Sequence, residues 1–204
     1  MEAIDIIRQC GLVATVSSAK TDRILPILGA LLSGGLSTAE IDFHAESAAD
    51  CLKIGCLKFP DMTIGACGIL TEEDAKSAAD AGARFIVGPG FSDDVEKICE
   101  DFCIPYIPGC VTPTEIMNAE KHGIELVNFF PAENFGGVGT LKTLSAVFPT
   151  MSFMPSGGIG MANLADYLSL PRVAACAGSF MMSDSLDRVA EICMRAAEIA
   201  EKYR

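Results

Sequence analysis

The chain is poor in basic side chains, and this shortage excludes one large class of partners. Its 204 residues contain 15 Lys and Arg against 27 Asp and Glu, which gives a formal net charge of −12. Proteins that bind nucleic acids carry a surplus of cations for the phosphate backbone, so neither DNA nor RNA is an expected partner. A small phosphorylated metabolite is compatible with the acidity, because backbone N–H groups can hold a single phosphate.

Long apolar runs and paired cysteine motifs are also missing. No apolar stretch approaches the roughly 20 residues that a transmembrane helix needs, and the start of the chain lacks the pattern of a secretion signal. Nine cysteines are present without a C-x-x-C pair, and Cys99 and Cys103 alone make a poor zinc site. These features predict a cytoplasmic protein with no membrane partner and with reduced, mostly buried thiols.

The sequence instead contains a repeated alternation of helical and strand-like segments joined by short loops rich in Gly, Pro and Ser. Strands are predicted at 12–16, 38–43, 63–67, 84–87, 104–107, 125–130, 151–154 and 173–176. Helices are predicted at 23–33, 45–58, 72–80, 93–102, 113–122, 138–147, 162–168 and 184–202, with one more before the first strand. About eight βα units predict a single α/β domain, residues 1–204, folded as a compact (β/α)8 TIM barrel with an extra N-terminal helix. A doubly wound parallel sheet is the competing architecture.

Two helix starts carry capping signals. Thr71 precedes the helix at 72–80 and is a suitable N-cap. Thr112 and Glu115 have the spacing of a capping box, and Pro113 stands at the first helical position between them. Both helices are therefore expected to begin at these residues.

Three polar side chains follow one another at the end of the second predicted strand. Glu40, Asp42 and His44 are spaced by two, so an extended backbone places them on one side. Ligands of parallel α/β folds bind at the carboxyl ends of the strands, and a carboxylate buried there unpaired is costly. Glu40 is thus a candidate functional acid, with pairing to a neighbouring loop as the structural alternative. The trio also allows a divalent-metal site, against the alternative of ordinary polar loop neighbours.

Distinctive motifs stand at the ends of the later strands. Residues 127–133 read Val-Asn-Phe-Phe-Pro-Ala-Glu, and residues 155–159 read Pro-Ser-Gly-Gly-Ile. The sequences Gly-Pro-Gly at 88–90, Ile-Pro-Gly at 107–109 and Ala-Gly-Ser at 177–179 follow other strands. Together they resemble the 2-keto-3-deoxy-6-phosphogluconate / 4-hydroxy-2-oxoglutarate aldolases (KDPG/KHG aldolases) over nearly the whole chain.

The resemblance implies a lyase of carbohydrate metabolism. Its reaction would be reversible aldol cleavage of a 2-keto-3-deoxy (phospho)sugar acid or of 4-hydroxy-2-oxoglutarate to pyruvate and an aldehyde. It implies that Glu40 moves protons and that position 128 carries the Schiff-base lysine, where this chain has Asn128. An amide nitrogen is delocalised into its carbonyl and cannot form an imine with a ketone. The defining covalent step of the family is therefore not expected at this position.

The same resemblance implies two groups of substrate contacts. His44 stands where the family has an arginine for the substrate carboxylate, Gly68 stands where it has a threonine, and Pro89 and Phe130 complete the substrate-binding set. Glycines let the backbone approach an anion, so the loops after strands 7 and 8 are expected to bind phosphate, with ordinary turn chemistry as the alternative. The expected phosphate-binding residues are Ser156, Gly157, Gly158, Gly178 and Ser179.

No other lysine is a strong replacement for the missing one. Lys20 alone lies in a loop just after a predicted strand, between polar residues that keep it solvated, whereas a Schiff-base lysine needs desolvation. Besides the aldolase, two functions stay open: a non-catalytic or repurposed barrel that binds a phosphorylated metabolite, and a metal-dependent lyase or isomerase that uses Glu40, Asp42 and His44. A 2-keto acid or sugar phosphate is the expected ligand, no cofactor is expected, and the resemblance implies a homotrimer.

Overall fold

The computed structural model describes residues 2–17 and 20–203, and its strands and helices alternate along the chain. The strands are β1 (Leu12–Val16), β2 (Thr38–Asp42), β3 (Thr63–Cys67), β4 (Ile86–Val87), β5 (Tyr106–Ile107), β6 (Leu126–Phe129), β7 (Ser152–Pro155) and β8 (Cys176–Gly178). The helices are α1 (Ala3–Cys10), α2 (Ile24–Ser33), α3 (Ala48–Lys58), α4 (Glu72–Asp80), α5 (Asp93–Asp101), α6 (Pro113–Lys121), α7 (Gly137–Val147), α8 (Leu164–Leu168) and α9 (Leu186–Ala200). The predicted N-terminal helix is confirmed as α1. No helix within the described ranges has the length and hydropathy needed to cross a bilayer.

All strand pairs are parallel, which confirms an α/β fold. Six strands form one sheet in the order β5-β4-β3-β2-β1-β8, and β6 and β7 form a second, two-stranded sheet. Single bridges link these sheets, between Gly109 and Asn128 on one side and between Phe153 and Val173 on the other. The backbone N–H of Asn128 donates to the carbonyl of Pro108 at 2.8 Å in the first of these links.

Side-chain alternation along the strands creates two buried layers. One residue set, which includes Leu12, Ala39 and Val127, packs against the surrounding helices. The other set, which includes Val13, Phe85 and Met154, forms a separate inner cluster together with Ile7 of α1. Residues on β2 and β6 that alternate with the outer set, Glu40 and Asn128 among them, therefore point to the inner side.

The predicted helix starts at Thr71 and Thr112 are confirmed. The Thr71 hydroxyl accepts the N–H of Asp74, and Thr112 and Glu115 form a complete capping box. The third helix begins at residue 48 rather than 45, because a turn at 43–47 follows β2.

Three predicted strands need correction. β4 and β5 are two residues long instead of four, since only 86–87 and 106–107 fall within the ladder. The eighth strand was placed at 173–176 and lies at 176–178, because its pairing with β1 begins where Leu12 meets Cys176. Val173 contributes only the single bridge to Phe153. A run of apolar residues predicted the strand, but the register with β1 decides where it starts.

Candidate active site

A cavity of about 250 Å³ brings most of the predicted site residues together. It lies at the carboxyl ends of the strands and is lined by Thr15, Glu40, Asp42, His44, Cys67, Gly68, Val87, Gly88, Pro89, Asn128, Phe130, Ser156, Gly157, Gly178 and Ser179. Of the predicted site residues, only Gly158 is not part of this lining, and it follows Gly157 directly in the chain. Thr15 and Cys67 were not predicted, although strand alternation places both on the inner side.

Glu40 is held at the base of this cavity by β2. Its side chain is only 4% exposed, and the hydroxyl of Thr15 on β1 donates to its Oε1 at 2.6 Å. The other oxygen, Oε2, is buried without a hydrogen-bond partner among the described residues. Burial raises the pKa of Glu40 to about 7, while Thr15 and Cys67 oppose this shift and the charge of Asp42 adds to it. A carboxyl group with this pKa can both donate and accept a proton at neutral pH.

Asn128 on β6 is 4% exposed and fixed in orientation. The hydroxyl of Ser156 donates to its side-chain oxygen at 2.6 Å, and its backbone pairs with the segment after β5. Because the amide oxygen is occupied by Ser156, the NH2 group is the part of this side chain able to donate to a ligand.

His44 and Asp42 form a pair at the mouth of the cavity. Asp42 Oδ1 lies 2.6 Å from Nδ1 of His44 and also accepts the backbone N–H of His44 at 3.1 Å. His44 follows the end of β2, and its side chain is 68% exposed. Glu40 and Asp42 share the inner side of β2, as expected. His44 was expected on the same side, but the strand ends at Asp42 and the chain turns before His44.

Gly68 lies directly beneath this pair. Its φ is +72°, and a Cβ at this position would come within 2.8 Å of the His44 ring and 3.1 Å of Asp42 Oδ1. The absence of a side chain at 68 thus allows His44 to occupy its observed position.

The glycine loop after β7 forms another wall of the cavity. Gly157 has a φ of +84°, and a Cβ there would lie 3.0 Å from both Phe130 and Pro131. Among the described residues, the backbone N–H groups of Gly157 and Gly158 donate no hydrogen bond. Such N–H groups in a tight glycine turn are suited to hold an anion.

The metal site suggested for Glu40, Asp42 and His44 is not supported by their geometry. Their ligand atoms do not form a compact group within residues 2–17 and 20–203, because Glu40 bonds to Thr15 while His44 bonds to Asp42. The one compact group in these ranges is Asp93, Glu96 and His122. In that group Glu96 and His122 form an ion pair at 2.6 Å, which explains their proximity without a metal.

That ion pair borders a larger cavity, of about 520 Å³, at the opposite ends of the strands. Thr63 begins β3, Pro105 directly precedes β5, and both line it, as does Ala3 of α1. The side chains expected to perform chemistry line the smaller cavity instead, and ligands of parallel α/β folds bind at that end. We therefore assign the candidate active site to the smaller cavity.

No lysine or arginine belongs to the described lining of the candidate active site. Lys20 is exposed and is not among the lining residues. Within residues 2–17 and 20–203, no side-chain amine therefore lines this cavity.

Three comparisons with known proteins all find similarity to KDPG and KHG aldolases. The family model for KDPG and KHG aldolases matches residues 3–194. A 2-dehydro-3-deoxy-phosphogluconate aldolase of Haemophilus influenzae is 38% identical over 185 residues, which cover 91% of this chain and 87% of that protein. A KDPG aldolase of Legionella pneumophila, crystallised with pyruvate as a covalent carbinolamine, superimposes with a TM-score of 0.91 at 30% identity, over 96% and 98% of the two chains. The aldolase of Zymomonas mobilis with 3-phosphoglycerate gives 0.90 at 26% identity, over 96% and 94%.

Proposed function

Since this chain belongs to the KDPG and KHG aldolase family, we propose that its central cavity binds a small phosphorylated carbonyl compound without forming an imine. The family reaction is reversible aldol cleavage to pyruvate and an aldehyde. The proposal rests on the environment of Asn128. Its side chain accepts a hydrogen bond from Ser156, and the described lining of the cavity around it contains no lysine. The Legionella aldolase was crystallised with pyruvate as a covalent carbinolamine, and the described lining of this cavity offers no amine for such a bond.

The glycine loops supply the phosphate end of the proposed site. Gly157 and Gly158 leave two N–H groups without acceptors among the described residues, and Gly178 and Ser179 line the cavity beside them. Barrels of this type commonly bind phosphate after strands 7 and 8. The Zymomonas aldolase binds 3-phosphoglycerate, a phosphate ester, which supports a phosphate ester as the ligand here.

Glu40 and Asn128 supply the chemistry at the carbonyl end. The Asn128 NH2 group would donate to the carbonyl oxygen, and Glu40 would transfer protons next to it. A neutral amide stabilises the developing enolate less than an iminium does, so aldol cleavage is expected to be slow. Pro89, Phe130 and His44 would border the substrate, as the family resemblance implies.

A purely binding role is the second candidate function. It is favoured by the lack of a compact metal group and of a lysine in the described lining, because these are the usual means of stabilising an enolate. Exchange of the hydroxymethyl protons of dihydroxyacetone phosphate with deuterium separates the two roles. Exchange that is lost in Glu40→Gln favours catalysis, and its absence in the parent protein favours binding alone.

We extend the proposal to architecture and assembly. The two inter-sheet bridges support a closed eight-stranded barrel spanning a single domain, residues 1–204. Family membership supports a homotrimer in the cytoplasm. Light scattering should then give about three times the chain mass of 21.5 kDa. A mass of one or two chains would reject the trimer.

Borohydride trapping tests the central claim. The protein and its Asn128→Lys variant are each incubated with pyruvate and borohydride, and their intact masses are measured. We expect no adduct on the parent protein and one reduced pyruvate on the variant, with a gain of pyruvate release in a coupled assay. The double variant Asn128→Lys/Glu40→Gln is the control for proton transfer and should release less pyruvate. An adduct on the parent protein would contradict the imine-free assignment.

A further inference from the structure

The candidate active site has an uneven distribution of charge. At one side, the turn at Gly157 and Gly158 presents unpaired N–H groups among the described residues. On β2, Glu40 and Asp42 place two carboxyl groups in the lining. With a phosphate at the glycine turn, which is the phosphate-binding role proposed above, the rest of the ligand faces these two carboxyl groups.

The only basic side chain in the described lining is already engaged. Nδ1 of His44 lies 2.6 Å from Oδ1 of Asp42, and the backbone N–H of His44 bonds to the same oxygen. Even with the imidazole protonated, the pair carries no net positive charge. It is therefore a weak partner for a carboxylate on a ligand.

In its ionised form, Glu40 has an unused hydrogen-bond acceptor. Its Oε2 is buried without a hydrogen-bond partner among the described residues, while its Oε1 receives the Thr15 hydroxyl and the Cys67 thiol also lowers the pKa of the carboxyl. Leaving a buried carboxylate oxygen unpaired is unfavourable, so a ligand that donates a hydrogen bond here is stabilised. A hydroxyl group is such a donor, whereas a carboxylate offers only acceptors.

The lack of a side chain at Gly68 keeps further hydrogen-bond donors away from Glu40 and Asp42. A side chain at 68 would collide with the His44 ring and approach Asp42, so no donor can project from this position while His44 stays in place. The carboxyl groups of Glu40 and Asp42 therefore face the ligand without an unpaired cation in the described lining and without a hydroxyl from residue 68. A ligand carboxylate would lie beside Asp42 and would oppose the ionisation of Glu40, and both effects cost binding free energy.

We propose that this end of the cavity recognises an uncharged, hydroxyl-bearing carbonyl group, so that the ligand is a sugar phosphate without a carboxylate. Its phosphate occupies the glycine turn, its hydroxyl donates to Glu40, and its carbonyl accepts from the Asn128 amide. The site thereby discriminates against the phosphorylated sugar acids that family membership alone suggests.

Two three-carbon phosphate esters form a matched pair for the test. Dihydroxyacetone phosphate has a ketone at its middle carbon and a hydroxymethyl group at its end, whereas 3-phosphoglycerate has a hydroxyl at the middle carbon and a carboxylate at its end. Titration calorimetry on the full chain should show at least about tenfold tighter binding of dihydroxyacetone phosphate. Equal affinities, or tighter binding of 3-phosphoglycerate, would overturn the inference and leave the phosphate site standing. Failure of both esters and of inorganic phosphate to bind would overturn the proposed function itself, and this inference with it.

A variant with altered charge tests whether Asp42 and His44 cause the preference for dihydroxyacetone phosphate over 3-phosphoglycerate. Asp42→Asn combined with His44→Arg places an unpaired cation at this end, and the ratio of affinities should move by about tenfold or more towards 3-phosphoglycerate. The control Glu73→Gln/Asp80→Asn makes the same change of net charge at two exposed residues of α4 and should leave the ratio unchanged. If the double variant binds poorly because its fold is perturbed, the single change Asp42→Asn should move the ratio in the same direction. An unchanged ratio in both variants would place the discrimination elsewhere and reject the inference.

Discussion

The imidazole ring of His44 lies over the α-carbon of Gly68, so close that a Cβ at 68 would be 2.8 Å from two ring atoms. The family resemblance implies an arginine at position 44 and a threonine at position 68 for the substrate carboxylate. The two positions are sterically coupled, since a side chain at 68 requires His44 to move. A return to the family residue at one position alone is expected to be destabilising.

Gly68→Ala should lower the free energy of unfolding by about 2–4 kcal/mol, from backbone strain at positive φ together with the clash. Gly123→Ala is the matched control, because its φ is +74° and an added Cβ would meet no atom within 4 Å. Gly123→Ala should lower the free energy of unfolding by only about 1 kcal/mol, because it introduces backbone strain without a clash. In a His44→Ala background the difference between the two substitutions should shrink, as measured by urea denaturation. A difference that persists in that background would show that His44 is not the obstacle.

Glu40 should make the protein less stable as the pH rises. Its folded-state pKa of about 7 exceeds the ordinary value of 4.5, so the folded state binds more protons than the unfolded state between these values. The free energy of unfolding should therefore fall by up to about 3 kcal/mol between pH 4.5 and pH 7 on account of this group. In the Glu40→Gln variant, the free energy of unfolding should lose this part of its dependence on pH. Equal slopes in urea denaturation of the two proteins would contradict the raised pKa.

Thr15 should tune the acidity of Glu40. Its hydroxyl donates to Oε1 at 2.6 Å and lowers the pKa of the carboxyl, so Thr15→Val should raise that pKa above about 7. Thr15→Ser retains the hydroxyl and should change the pKa of Glu40 little. Carbon-detected NMR titration of the labelled glutamates measures the midpoint directly. An unchanged or lowered midpoint in Thr15→Val would exclude this role.

Gly157 should be necessary for binding of the phosphate ester. An alanine there is strained at a φ of +84° and meets Phe130 and Pro131 at 3.0 Å, so the turn must shift its N–H groups. We expect Gly157→Ala to weaken binding of dihydroxyacetone phosphate by about tenfold or more. Gly160→Ala is the control in the same loop, because an added Cβ there would meet no atom within 4 Å. Similar affinities for the two variants would remove Gly157 from the binding site.

Local patterns in the sequence predicted much of the architecture. Period-two spacing gave Glu40 and Asp42 a common face, and the capping box at Thr112 set the start of α6. Strand ends were harder to predict, because β8 begins where its register with β1 allows and not where the apolar run begins. His44 was expected beside Glu40, but the turn after β2 carries it to the mouth of the cavity, where it pairs with Asp42.

The sequence by itself determined which chemical groups are available: an acid at Glu40, an amide at Asn128, and glycines at the ends of β7 and β8. Only the tertiary structure decided how those groups behave. The burial that raises the pKa of Glu40 comes from strands far apart in the chain, as does the hydroxyl of Ser156 that orients Asn128. Desolvation and hydrogen bonding depend on neighbours in space, and these neighbours exist only once the parallel strands have brought their carboxyl ends together.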